Sequence, residues 1–209
     1  MMKRGRTARK RQAPIWEVWL KYPHVCERSL GYFERRAQVR TLDAAQARND
    51  VLGHLGKAFH NLSLANQIFD TNQRGQLRVK YAGENFYDWV VTVCYYAMYQ
   101  ASLAALAAVR KSGENHSATV CALVHYYVHK KKRLKEQHLL SLNTIGSLAN
   151  QDIQKLVGTR FERERACYDT GYATQLSLAQ TSLSDARDFI LKVREILEDG
   201  LGKDFLKDV

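Results

Sequence analysis

Apolar residues recur at three- and four-residue intervals through most of this chain, the period of an α-helix with one side turned to a core. Val51, Leu55, Ala58, Phe59, Leu62, Ala65, Ile68 and Phe69 make one such stripe over residues 47 to 69. The polar run from Asp70 to Gly75 closes it as a turn. The next segment differs in kind: from Trp89 to Val109 no charged side chain occurs over 21 positions, a length that could cross a bilayer. Thr92, Tyr95, Tyr96, Tyr99, Gln100, Ser102 and many alanines dilute its apolarity. It therefore reads as a central helix wrapped by other helices, running from Asn85 to about Ser112, where Ser112-Gly113 stops it.

Ser117 then caps a third helix, Ala118 to about His129. Leu139 to Ala149 and Ile153 to Phe161 give shorter helical patches interrupted by Gly146 and Gly158. The last long segment, about Thr174 to Leu197, repeats Leu178, Leu183, Ala186, Ile190, Val193 and Leu197 at helical spacing and should pack back onto the central helix. Pro14 and Pro23 are the only prolines, so none interrupts a helix after Val25. The expectation is an all-α, up-and-down bundle of four to five helices over residues 47–199. A basic, disordered tail (1–12) and an aromatic-rich N-terminal extension (13–46) precede it, and a C-terminal tail (200–209) follows. A chain of 209 residues, 45% of them hydrophobic, suits one such domain with appended sequence.

The formal net charge of +11 sits in two short runs. Lys3, Arg4, Arg6, Arg9, Lys10 and Arg11 form the first, and Lys130, Lys131, Lys132, Arg133 and Lys135 the second; neither contains an acid. Without these eleven residues, 21 basic side chains face 21 acidic ones. Local runs on a balanced body suit an electrostatic contact to phosphates, although anionic lipid would attract them too and solvated charge is the plain alternative. Pro14, Trp16, Glu17 and Trp19 follow the first run where a secretory signal would carry an apolar stretch. Cys26, Cys94, Cys121 and Cys167 are scattered without a Cys-x-x-Cys pair, as in a reduced cytoplasmic protein.

Cys121, His125 and His129 recur every fourth residue and would share a helix face able to ligate zinc. Tyr126, Tyr127 and Val128 stand where a catalytic zinc helix would carry a glutamate, and no fourth ligand is apparent, so no metal or other cofactor is expected. Gly-rich phosphate loops, nucleophile elbows and acid–base carboxylate pairs are also missing. The glycosylation sequons at Asn61 and Asn115 have no meaning in a cytoplasmic protein. Arg133 and His138 are separated by four residues, a spacing at which the His could handle a 2′-hydroxyl proton and the Arg could stabilise charge on phosphorus. Pairs of this kind arise by chance in so basic a chain, so position in the fold must decide.

The run Tyr95-Tyr96-Ala97-Met98-Tyr99-Gln100-Ala101, the His116-Ser117 helix start and the later Arg163-Glu164-Arg165-Ala166-Cys167-Tyr168-Asp169 resemble a HEPN domain, particularly the small stand-alone kind. The resemblance covers roughly residues 47 to 199. It implies a four- or five-helix bundle that usually dimerises, often beside a minimal nucleotidyltransferase in toxin–antitoxin or defence modules. Active members place an Arg and a His at the start of a late helix, and two such motifs meet across the dimer as a metal-independent RNase site. The corresponding place here is Arg163 to Tyr168, with tyrosine where the histidine would stand. A phenol with a pKa of about 10 stays protonated near neutrality and is a poor general base, although Arg163 could bind phosphate and Tyr168 could stack on a base.

Three readings follow. The first is a dimeric module that binds RNA or a ribonucleoprotein through the two basic runs, its nuclease motif degenerate. The second is an RNase toxin in which Arg163 and a borrowed His138 or His116 complete the site. The third is an interaction subunit presenting Trp16, Trp19, Tyr22, Tyr32 and Phe33 to a nucleotidyltransferase; the same aromatics would equally serve an extra helix buried on the domain.

Overall fold

A computed structural model describes residues 15–75, 85–142 and 176–207. Helices α1 (Ile15–Lys21) and α2 (Pro23–Arg35) form a hairpin, and a short strand β1 (Val39–Thr41) leads into the 30-residue helix α3 (Ala44–Gln73). Helix α4 (Tyr87–Ala108), strand β2 (Lys111–Gly113) and helix α5 (His116–Leu123) follow. Helix α5 continues without a break as a π-helical stretch, Val124–Lys130. Helical residues 136–142 (α6), helix α7 (Leu176–Leu201) and a 3₁₀ turn, Lys203–Leu206, complete the described chain. The protein is mostly helical, as the sequence predicts.

Local chemistry sets the boundaries. Pro23 opens α2 at its first turn, where its missing N–H costs nothing. The Asp43 carboxylate caps α3 by accepting from the Gln46 N–H at 2.8 Å. Gly75, at φ 67°, turns the chain after α3 in the left-handed region open to glycine. The cap of α5 is Asn115, whose Oδ1 accepts from the Ala118 N–H at 3.0 Å, rather than the expected Ser117.

Helix α4 ends four residues before the expected Ser112-Gly113 stop. Arg110 adopts φ 58° and turns the chain into β2, which pairs antiparallel with β1 in the register Val39↔Gly113, Arg40↔Ser112 and Thr41↔Lys111. Leu42 N–H donates to the Arg110 carbonyl at 2.9 Å and Arg110 Nε donates to the Leu42 carbonyl at 3.1 Å, which holds that bend. The all-α reading did not contain this two-stranded ribbon.

Helix α4 packs against α3, α7 and α5, which explains why its middle carries no charge. Val90, Val91, Cys94, Ala97, Met98, Ala101, Ala104, Ala105 and Leu106 are buried along it, and Ser102 satisfies its hydroxyl on the Met98 carbonyl at 2.8 Å. Among the described residues it is the one helix long and apolar enough to cross a membrane, and 67% of that window is buried inside the protein. Val51, Leu55, Ala58, Leu62 and Ala65 of α3 are buried opposite it, as are Ala186, Ile190, Val193 and Leu197 of α7. Leu206 closes the end of the core.

The α1–α2 hairpin belongs to the same core. Trp19, Cys26, Leu30 and Val39 are buried, with Cys26 and Cys121 exchanging thiol-to-carbonyl contacts at 3.5 Å. The Trp19 indole donates to Ser29 Oγ at 3.0 Å and meets Phe33 edge-on. Trp19 is therefore a core residue, while Tyr22 and Tyr32 face solvent.

Gly113 marks the closest approach between the ribbon and α5: a methyl added there would stand 3.0 Å from Thr119 Cα and closer still to its hydroxyl. Gly113→Ala is expected to cost about 1–3 kcal/mol as overpacking, read as a lowered midpoint in urea unfolding, whereas Gly53→Ala, which meets nothing within 4 Å, should not destabilise.

Candidate nucleic-acid interface

The second basic run grows from the end of a helix. A π-helix is wider than an α-helix because its hydrogen bonds span five residues, and such segments concentrate at functional sites. Here Lys131 N–H reaches the Tyr126 carbonyl at 3.0 Å, and the Tyr127 carbonyl receives both Arg133 N–H at 2.8 Å and Leu134 N–H at 3.1 Å. Lys132 takes φ 52°, so the chain curls back over the helix end. Two anchors fix that end: the Tyr127 hydroxyl donates to the Ala105 carbonyl at 2.5 Å, and Leu134 is buried.

Lys130, Lys131, Lys132 and Lys135 are all exposed on this fixed loop. The Lys130 ammonium lies 6.0 Å from the Tyr126 ring centroid and that of Lys131 lies 5.2 Å from the Tyr127 ring. Their place at a helix C-terminus is also electrostatically favourable. Arg133 is different: its guanidinium contacts Asp199 at 2.5 Å and Glu195 at 3.7 Å on α7. The partly exposed pair adds little stability but orients the loop against the bundle.

Trp19 brings the N-terminus to the same place. His129 Nε2 hydrogen-bonds the Trp19 carbonyl at 2.9 Å, across 110 residues of sequence. Helix α1 begins at Ile15, one turn or about 6 Å of rise before Trp19. The described chain therefore begins one helical turn from the residue that holds His129, next to Lys130. Lys3, Arg4, Arg6, Arg9, Lys10 and Arg11 themselves lie outside the described residues, as do Arg163 and Tyr168.

The other candidate chemistry finds separate partners. The Cys121 thiol is turned to the Cys26 carbonyl and His129 to Trp19, and among the described residues no three His, Cys, Asp or Glu side chains group as metal ligands. His138 Nδ1 accepts the Lys135 N–H at 3.1 Å in the first turn of α6, while Arg133 is held by α7. Tyr95 and Tyr99 of α4 stack with centroids 6.0 Å apart, and the Tyr95 hydroxyl meets His116 Nδ1 at 3.2 Å, so the central-helix tyrosines and the His116 helix start form one cluster. Burial holds the Tyr95 phenol up to about 12 and the Cys94 thiol up to about 12, so both are neutral. The sequence reading also missed a shallow cavity of about 390 Å³, where Lys111 Nζ binds Glu34 at 2.8 Å and Thr41 Oγ1 at 3.1 Å. Its ammonium is satisfied there, and burial, which would lower its pKa, is outweighed by the Glu34 bond and the adjacent Tyr126.

No family model and no curated protein matches the chain. Functional interpretation therefore rests on the residues themselves.

Two histidines report the field around the loop. Burial lowers the His125 pKa below 6.5, with Lys130 and His129 adding to it, and burial lowers that of His138, with Lys192 and Lys135 adding to it. Each is more readily protonated in the unfolded chain, so stability is complete above about pH 6.5 and falls as pH drops through the unfolded pKa toward the folded one. Urea unfolding at about pH 7.5 and about pH 5.5 should show this loss, and His125→Gln should flatten it; equal stability at the two pH values would contradict it.

Proposed function

We propose that this chain is a HEPN-type RNA-binding module, active as a dimer, with a degenerate nuclease motif. The observation that carries the binding role is the His129–Trp19 hydrogen bond, which ties α1, the helix that follows the six-cation tail in sequence, to the residue before four exposed lysines. Both excesses of positive charge thereby act on one region, and release of counterions from phosphates supplies the affinity. The HEPN assignment is supported by the ordered motifs at Tyr95–Tyr99, His116-Ser117 and Arg163–Tyr168 and by the mostly helical fold. Tyr168 in place of histidine removes the group that would deprotonate a 2′-hydroxyl.

Filter binding to single-stranded RNA across a salt series tests the reading. If the six tail cations and the four exposed lysines meet phosphates, log affinity falls against log salt with a slope of about −7, and converting Lys130, Lys131, Lys132 and Lys135 to Gln should make it shallower by about 3. No affinity at low salt, or an unchanged slope in the variant, would refute the role. Total RNA incubated with the protein in EDTA should remain uncut; cleavage abolished by Arg163→Ala would instead establish a working nuclease.

A further inference from the structure

The outward face of α2 sets an exposed tyrosine among basic side chains. At 100° per residue, His24, Arg28, Tyr32 and Arg35 fall within an arc of about 80°, opposite the buried Cys26 and Leu30. All four are exposed, Tyr32 to 44%. The Arg36 guanidinium sits 4.7 Å from the Tyr32 ring centroid. At the α1–α2 corner the pattern repeats: Tyr22 is 42% exposed, Lys21 lies 5.5 Å from its ring and the His24 ring meets it at 6.1 Å. The acids Glu27 and Glu34 lie on one flank of the helix, and Glu34 is already bound to Lys111.

This row starts at His24, five residues beyond Trp19, whose carbonyl holds His129 next to the lysine loop. From His24 to Arg36 it extends about 18 Å along the helix. Cations supply contacts to a phosphate backbone but cannot hold an unpaired base; exposed rings with guanidinium neighbours can, and they do so for any base. A duplex keeps its bases stacked inside and offers such rings little.

We propose that the outer face of α2, with Tyr32 on it and Tyr22 at the α1–α2 corner that leads into it, is a stacking platform that selects single-stranded over duplex RNA. The proposal rests on the RNA-binding reading above and names the form of RNA that this reading leaves open. Strand binds first to the lysine loop, and its exposed bases lie on Tyr22 and Tyr32 while Arg28, Arg35 and Arg36 follow the phosphates.

The test uses the full chain, a fluorescent single-stranded oligoribonucleotide, the matching duplex, and phosphatidylserine vesicles. Tyr22→Ala with Tyr32→Ala should weaken single-strand binding by at least about fivefold, leave the salt slope and the thermal midpoint unchanged, and leave duplex binding unaltered. Tyr32→Leu should bind as poorly as Tyr32→Ala, and Tyr32→Trp should bind at least as well as the parent, which separates ring stacking from apolar bulk. Parent-like single-strand binding in the tyrosine variants, while the four-lysine variant is weakened, would overturn the platform and leave the RNA role standing. Equal losses on single strand and duplex would overturn the selectivity. A loss confined to the vesicles would assign the face to anionic lipid, and a parent chain that binds neither RNA would remove both proposals together.

Discussion

Between Trp89 and Val109 helix α4 has nothing charged to present to water, so it must be surrounded, and the fold is the set of elements that surround it. Helices α3 and α7 cover two sides and α5 a third. Many of the side chains at the contact are alanines, including Ala97, Ala101, Ala104 and Ala105, which let neighbouring backbones approach closely. The Tyr127 hydroxyl bonded to the Ala105 carbonyl ties the π-helical stretch, from which the lysine loop grows, to this same helix.

Charge is distributed accordingly. The bundle is electrically balanced, and the excess is concentrated in the tail and in the loop that follows a helix C-terminus. Crowding ammonium groups at Lys130, Lys131 and Lys132 costs electrostatic energy, which the helix dipole and the faces of Tyr126 and Tyr127 partly offset. Arg133, turned inward to Asp199 and Glu195, fixes the loop while the lysines remain available to a polyanion.

The long amphipathic elements were legible in the sequence because their stripes are unambiguous: Val51 to Ala65 and Ala186 to Leu197 are buried as their spacing predicts. The role of the aromatic extension was not, because Trp19 and Tyr32 have the same kind of side chain and only the packed hairpin separates the buried ring from the exposed ones. Strands of three residues carry too little period to be read, and Asn115 and Ser117 are both good cap formers two residues apart. The π-helical stretch has no residue signature. Within the candidate interface the lysines announced themselves by composition, but the tie between their helix and α1 depends on a bond between residues 110 apart. Arg163 and Tyr168, in the segment that resembles a HEPN motif, lie outside the described residues, so their reading stays with the sequence.

The central claim is that both basic runs engage one RNA together, and lysine acetylation footprinting by mass spectrometry, with and without single-stranded RNA, tests it directly. Lys3, Lys10, Lys130, Lys131, Lys132 and Lys135 should be protected together, while the exposed Lys57 on α3 stays reactive. Protection of one run alone, or equal reactivity of all these lysines with and without RNA, would contradict the account.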